Sequence, residues 1–233
     1  MATTPEDTSE YQLGIADAFA WLVVAQLGSA LWFGIVAAVF HNGATPDPLP
    51  LTTLFTLQLA FVVAYGVGPW WSSRYRGNGP GADYRVSVKI GDLPLGIVCG
   101  VFTQLIVIAL YFPILRFVDS DPGDAARRLT SQVDDTGRLL LLVLMVVVLA
   151  PAVEEFYFRG LFLRTLAPHI GLWPTVGVQA LVFAAVHYQL LQFPGLVVVG
   201  LVAGALAVRT GRLGASWAMH ASFNGITLFF LMI

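Results

Sequence analysis

Between Leu139 and Leu163 the chain is apolar for long enough to cross a bilayer, yet it carries Glu154 and Glu155 side by side and Arg159 four residues on. A charged group at the centre of a spanning helix costs roughly 2.5–3.5 kcal/mol on insertion scales. Two carboxylates and a guanidinium there restrict the chain to folds in which other segments enclose them and supply partners. Lipid offers nothing to backbone polar groups either, so a span is either a helix or a strand of a closed barrel. The apolar runs here are of helix length. The fold class is therefore all-α, a polytopic transmembrane helix bundle with a polar cavity inside the membrane.

Composition agrees. Hydrophobic residues make up 57% of the chain and charged residues 11%, with a mean hydropathy of +0.77, values that a water-soluble domain does not carry. A span needs about 20 residues, and about seven are expected: Ala16–Phe40, Leu51–Trp71, Leu93–Val118, Leu139–Leu163, Trp173–Leu191, Gly195–Val208 and Ala215–Ile233. The first run is too long for a cleaved signal peptide and reads as a retained anchor behind the acidic Met1–Glu10 stretch. Thr45–Pro50 reads as a Pro-rich turn. Tyr84–Ile90 alternates apolar and polar residues and suits a short interfacial piece better than a span. Gly195, Gly200 and Gly204 read as a face for close helix packing. Two regions follow: 1–92, with the first spans and a polar loop, and 93–233, with the residues that carry chemistry.

With the N-terminus cytoplasmic, Arg74, Arg76, Arg85, Lys89, Arg164, Arg209 and Arg212 fall inside, and Arg116, Arg127, Arg128 and Arg138 outside. The positive-inside rule prefers that orientation for a multi-pass protein of the cell membrane. The lone Cys99 excludes a disulfide framework or a cysteine metal site. The net charge of -2 argues against a nucleic-acid partner. The expected partners are the lipid bilayer and a membrane-associated peptide or protein substrate.

Three spans carry polar groups at helical spacing. Glu155 and Arg159 share a face while Glu154 projects about 100° away; Phe183 pairs with His187, and His220 with Asn224. Each is costly alone in lipid, so all are expected to converge. A carboxylate and a neutral imidazole can hold and deprotonate a water, and a histidine and an asparagine can stabilise the oxyanion formed when that water attacks a peptide carbonyl. Glu154, His187 and His220 are also a competent set for zinc or another divalent metal, and the metal-free version stays open beside it. Glu154 has no local cation and is assigned the chemistry; Glu155 and Arg159 hold the helix in register. Ser222 lacks a nucleophile elbow and Cys99 lacks a local partner, so water is the nucleophile.

The segment Pro151-Ala152-Val153-Glu154-Glu155-Phe156-Tyr157-Phe158-Arg159-Gly160 resembles the E-E-x-x-x-R motif of the CPBP intramembrane proteases, a group that includes the type II CAAX prenyl endopeptidases and bacteriocin-processing and immunity homologues. Phe183-Ala184-Ala185-Val186-His187 is similar to its second motif, F-x-x-x-H, and His220-Ala221-Ser222-Phe223-Asn224 to its third. The resemblance covers roughly Leu93–Ile233. It implies an intramembrane endopeptidase in which Glu154 and His187 activate water, His220 and Asn224 form the oxyanion site, and Glu155, Arg159 and Phe183 support them. Two other functions are weighed against this: a proton- or ion-coupled transporter, disfavoured because the ionisable residues cluster in one half without a repeat, and a non-proteolytic membrane chaperone or immunity protein. One mismatch stands. At 1.5 Å per residue, His220 lies about 8 Å from the cytoplasmic end of its span and His187 about 20 Å, with Glu154 between.

Overall fold

The computed structural model describes residues 13–40, 43, 49–119 and 121–233. Met1–Glu10, His41 and most of the Pro-rich connection (45–48) lie outside the described residues. The regular elements among the described residues are all helices: α1 (Ile15–Phe40), α2 (Leu51–Arg76), α3 (Pro80–Asp83), α4 (Asp92–Ile114), α5 (Asp124–Thr130), α6 (Thr136–Ile170), α7 (Leu172–Ala185), α8 (Phe193–Thr210) and α9 (Gly214–Met232). Five of these, α1, α2, α4, α6 and α8, are long and apolar enough to cross a membrane. Large apolar side chains such as Val24, Leu27 and Leu31 on α1 and Val98, Phe102 and Leu105 on α4 point outward. That face would be a liability in water, and it is the expected one in lipid.

Two of the expected spans come out differently. The fifth was expected over Trp173–Leu191, but α7 ends at Ala185, with Val186 as its cap and a turn through His187 and Tyr188. At 14 residues it covers about 21 Å, short of the hydrocarbon thickness. The last helix, α9, has 19 residues, but Gly, Ser, His and Asn dilute its apolar face.

Pro is tolerated in these helices by local widening. Proline removes a donor and its ring crowds the carbonyl four residues back. The π-helical turn Val62–Val67 in α2 precedes Pro69, and Leu144–Leu149 in α6 precedes Pro151. A third π turn, Phe156–Phe162, follows Glu155 directly and carries Arg159; such turns insert a residue into the register and concentrate at functional sites.

The segment between α3 and α4 is no span, as its alternation suggested, and it has no regular structure of its own. Tyr84 is buried and donates to Pro69 O at 2.9 Å, and burial pushes its phenol well above the ordinary tyrosine range. Arg85 O and Ser87 O accept from Leu213 N and Gly214 N. Asp92, fully buried at the start of α4, takes a two-pronged ion pair from Arg212, at 2.8 Å from Nε and 2.5 Å from Nη2. The N-termini of α4 and α9 are thereby stapled together inside the bundle.

This staple removes the depth mismatch. A Cβ on Gly160 of α6 would touch Leu213 and Tyr84, so α9 begins level with Gly160. From there α6 runs on about 15 Å to Ile170 at 1.5 Å per residue. Counted from that outer end, His220, Glu154 and His187 all lie about 22–24 Å deep.

Glycine faces set the helix spacing. The longest helix–helix contact joins α4 to α9, where a Cβ on Gly96 would meet Ala218 Cβ at 2.4 Å and Met219 N at 2.7 Å. On the α7–α8 side, Gly200 packs on Ala180 and Gly204 on Gln179, which bears out the packing face read from Gly195, Gly200 and Gly204. Gly96→Val must therefore push the two backbones apart and is expected to cost about 1–3 kcal/mol. Thermal unfolding in detergent should show a lowered midpoint for Gly96→Val and none for Gly28→Val, whose Cβ meets nothing within 4 Å.

Candidate active site

Arg159 lies on the π turn of α6, fully buried, and its Nη1 stands 2.9 Å from Glu155 Oε1, itself buried. Its Nη2 donates to Gly200 O of α8 at 3.4 Å. The guanidinium also sits over the Phe183 ring of α7, 4.7 Å from the centroid, a cation–π contact strengthened by desolvation. The i,i+4 pair expected from sequence is present and is anchored to two further helices.

Glu155 does more than pair with Arg159. Its Oε1 accepts from His220 Nδ1 at 3.0 Å. Because Nδ1–H donates to that carboxylate, the neutral ring leaves Nε2 unprotonated, and Nε2 faces Glu154 Oε2 at 3.7 Å. The adjacent carboxylates thus take the two nitrogens of one imidazole, and Glu155 orients the ring as a carboxylate orients a catalytic histidine. Assigning Glu155 to helix register alone was too narrow.

His187 sits in the turn just past α7. Its Nδ1 lies 2.7 Å from Phe183 O; a carbonyl only accepts, so Nδ1 holds the hydrogen and Nε2 keeps its lone pair. The neighbouring Tyr188 has φ 54, so the chain turns sharply there. The buried Phe183 ring touches both imidazoles edge-on, with centroids 4.7 Å from His187 and 5.7 Å from His220. Phe183 therefore contributes its backbone carbonyl to one histidine and its ring to both.

Glu154 and His187 line a common cavity of about 470 Å³. Neither His220 nor Asn224 lines it: His220 reaches it only through Glu154. Asn224, one turn further along α9, donates from Nδ2 to Val146 O on the π turn of α6 at 2.8 Å, which leaves it one amide hydrogen. Four residues expected around one cavity are thus arranged as two on the cavity, one behind them and one docking α9 on α6.

The other wall comes from α1 and α2, through Gln26, Ser29, Gln58, Phe61 and Tyr65. Gln26 Nε2 donates to Tyr65 Oη at 2.8 Å, and Tyr65 stacks on Tyr157, centroids 4.6 Å apart. Tyr157 in turn donates to Ala18 O at 2.6 Å. Ser29 Oγ is buried with no protein partner, and no base holds it as a nucleophile.

Glu154, His187 and His220 do not fit together as a metal site. Among the described residues no three His, Cys, Asp or Glu side chains are gathered closely enough to hold an ion, and His220 turns both nitrogens to carboxylates.

Motif reading missed Gln179. It is fully buried on α7 and donates from Nε2 to Val176 O at 3.0 Å and to Gly200 O at 2.8 Å, the same carbonyl that Arg159 uses. The signal was available, since Gln179 is an amide inside an apolar run, as are Gln26 and Gln58.

Residues 136–226, which hold every one of the motif positions, match the family model described as Type II CAAX prenyl endopeptidase Rce1-like. The resemblance read from the three motifs thus holds over that segment. No curated protein and no solved structure matches the chain.

Losing Arg159 leaves Glu155 buried beside one imidazole. Arg159→Ala is expected to destabilise by about 3–5 kcal/mol, more than Glu154→Ala, whose carboxylate borders the cavity. The double variant Glu155→Leu, Arg159→Met, which removes both charges, should recover some of the loss. Melting midpoints of the three variants in detergent check the order.

Proposed function

We propose that this chain, whose residues 136–226 are at family level those of a CAAX-type intramembrane protease, is an endopeptidase that hydrolyses a peptide bond of a membrane-associated protein or peptide with a glutamate-activated water. One observation carries the reading: Glu154 and His187, whose Nε2 keeps its lone pair, line the same cavity.

The chemistry needs no covalent intermediate. A water between Glu154 and His187 gives one proton to the carboxylate and donates its other hydrogen to His187 Nε2. Its oxygen bonds to the scissile carbonyl carbon, and the carbonyl oxygen becomes an oxyanion. As the C–N bond breaks, the proton held by Glu154 passes to the leaving nitrogen, which yields one new carboxyl and one new amine terminus. His220, held by Glu155 and facing Glu154, is placed to exchange that proton. His220 has a hydrogen to offer the oxyanion only while its Nε2 holds the proton exchanged with Glu154, and Asn224, which docks α9 on α6 away from the cavity, is given no part in it. No step passes through a metal, because the donors do not fit one.

The cavity suits an extended peptide. Its aromatic walls, Phe61, Tyr65 and Phe158, take apolar side chains, and Gln26, Ser29 and Gln58 offer partners to a backbone that has none in lipid. A cytoplasmic N-terminus is part of this proposal, supported by the gathering of Arg85, Arg164 and Arg212 at one end of the bundle while Arg127, Arg128 and Arg138 belong to the connection at the other.

Cleavage of a membrane-anchored peptide library by the purified protein tests the proposal. Glu154→Gln keeps the shape and removes the base, and is expected to lower turnover by about 10²–10⁴; His187→Ala should fall in the same range. Asn224→Ala, which removes the bond that docks α9 on α6, is expected to lower the melting midpoint by more than it changes turnover. Serine- and cysteine-directed reagents and chelator should leave cleavage intact. Activity retained in Glu154→Gln would end the reading, and loss in chelator restored by zinc would replace it with a metal mechanism.

A further inference from the structure

A second pocket, of about 450 Å³, opens at the end of the bundle where α6 runs past the buried start of α9. Arg85 and Arg164 both line it. Two cations thus border one pocket, and neither forms an ion pair, a side-chain hydrogen bond or a cation–π contact among the described residues. Arg164 Nε is buried with no protein partner. A buried guanidinium donor left unpaired beside a second cation is a costly arrangement in any interior.

The chain holds this arrangement in place. Arg85 has φ 55, a left-handed conformation that residues with a Cβ rarely adopt. It is fixed on both sides, by Tyr84 bonded to Pro69 O and by Leu213 N donating to Arg85 O. The start of α7 borders the same pocket at Leu172, and no side chain caps that helix; helix N-termini favour anions. Asp83 is the one acid on the lining, and its carboxylate is taken by Ser73 Oγ at 2.5 Å and Asn78 N at 3.0 Å. The remainder of the wall, including Leu163, Pro168 and Leu172, is apolar.

We propose that Arg85 and Arg164 form a binding site for a phosphate group at the membrane edge. A planar guanidinium matches phosphate oxygens two at a time, and an anion between the two would cancel their repulsion and give Arg164 Nε its partner. The apolar wall beside the cations suits a lipid phosphodiester, whose headgroup lies at this depth and whose chains continue along the bundle. The cavity that holds Glu154 and His187 shares no lining residue with this pocket, so the site stands apart from the proposed chemistry.

The test uses the full chain in detergent titrated with phosphatidylglycerol, phosphatidylcholine or inorganic phosphate, with apparent affinity read by native mass spectrometry and by melting midpoint. Phosphatidylglycerol is expected to bind at least about tenfold tighter than phosphatidylcholine, and high salt should narrow that gap. Arg85→Gln and Arg164→Gln should each abolish the preference, while Arg209→Gln, which removes one charge from the guanidinium stacked on Trp173 at the same end, should keep it. Arg164→Lys, which retains charge without the fork, covers a glutamine variant that fails to fold and is expected to keep some of the preference. Inorganic phosphate raising the melting midpoint in wild type and not in the Arg85 variant would support the same site with a soluble source. Equal binding of the two lipids by wild type, or an undiminished preference in both glutamine variants, would overturn the proposal.

Discussion

The contact on which the rest depends is the buried ion pair between Glu155 and Arg159. Neither group could remain in an apolar helix unpaired, and each satisfies more than the other. Arg159 reaches Gly200 O on α8 and lies over Phe183 on α7, while Glu155 takes the Nδ1 hydrogen of His220 on α9. One charge pair on α6 therefore fixes the positions of three other helices. Gln179 reinforces it by donating to the same Gly200 carbonyl. The imidazole ordered by this network faces Glu154 at the edge of the cavity. The network is not complete within the protein, since Glu155 Oε2, Arg159 Nε and Gln179 Oε1 are buried without a hydrogen-bond partner among the described residues.

A second constraint is axial. Helices that start at the membrane surface would carry His220 and Glu154 to different depths. The Asp92–Arg212 pair and the carbonyls of Arg85 and Ser87 let α9 begin well inside, where its first N–H groups would otherwise lack partners. The same device leaves the outer turns of α6 projecting beyond α9, and Arg164 sits on one of them. Within α6 the π turns on either side of Ala150–Glu155 accommodate Pro151 and shift the register around the carboxylates. Val146, on the first of these turns, supplies the carbonyl that docks Asn224.

The segment that matches the protease family supplies Glu154, His187 and His220, but it does not enclose the cavity. The opposite wall belongs to α1 and α2, held against α6 by Tyr157 on Ala18 O and by the Tyr65–Tyr157 stack. Glu154 and His187 thus come from one half of the chain and the opposite wall of their cavity from the other.

The sequence by itself determined the class of fold and which side chains had to be enclosed. Runs of apolar residues allow only spanning helices, and polar groups in such runs must leave the lipid, so Glu154, Glu155, Arg159, His187, His220 and Asn224 were expected in one cluster, of which Glu154 and His187 share the cavity while Asn224 docks α9 on α6. Helical spacing placed Glu155 and Arg159 on one face, because that depends on local geometry alone. What the tertiary structure decided is non-local. Whether Glu155 holds one partner or two depends on where α9 begins, and that is fixed by Asp92, more than a hundred residues earlier in the chain. The early end of α7 and the role of Gln179 were likewise hidden, since hydropathy measures the length of an apolar run and carries no information about which carbonyl across the bundle an amide will find. Sequence periodicity states which side chains must leave the lipid, and only the packed bundle settles which of them meet.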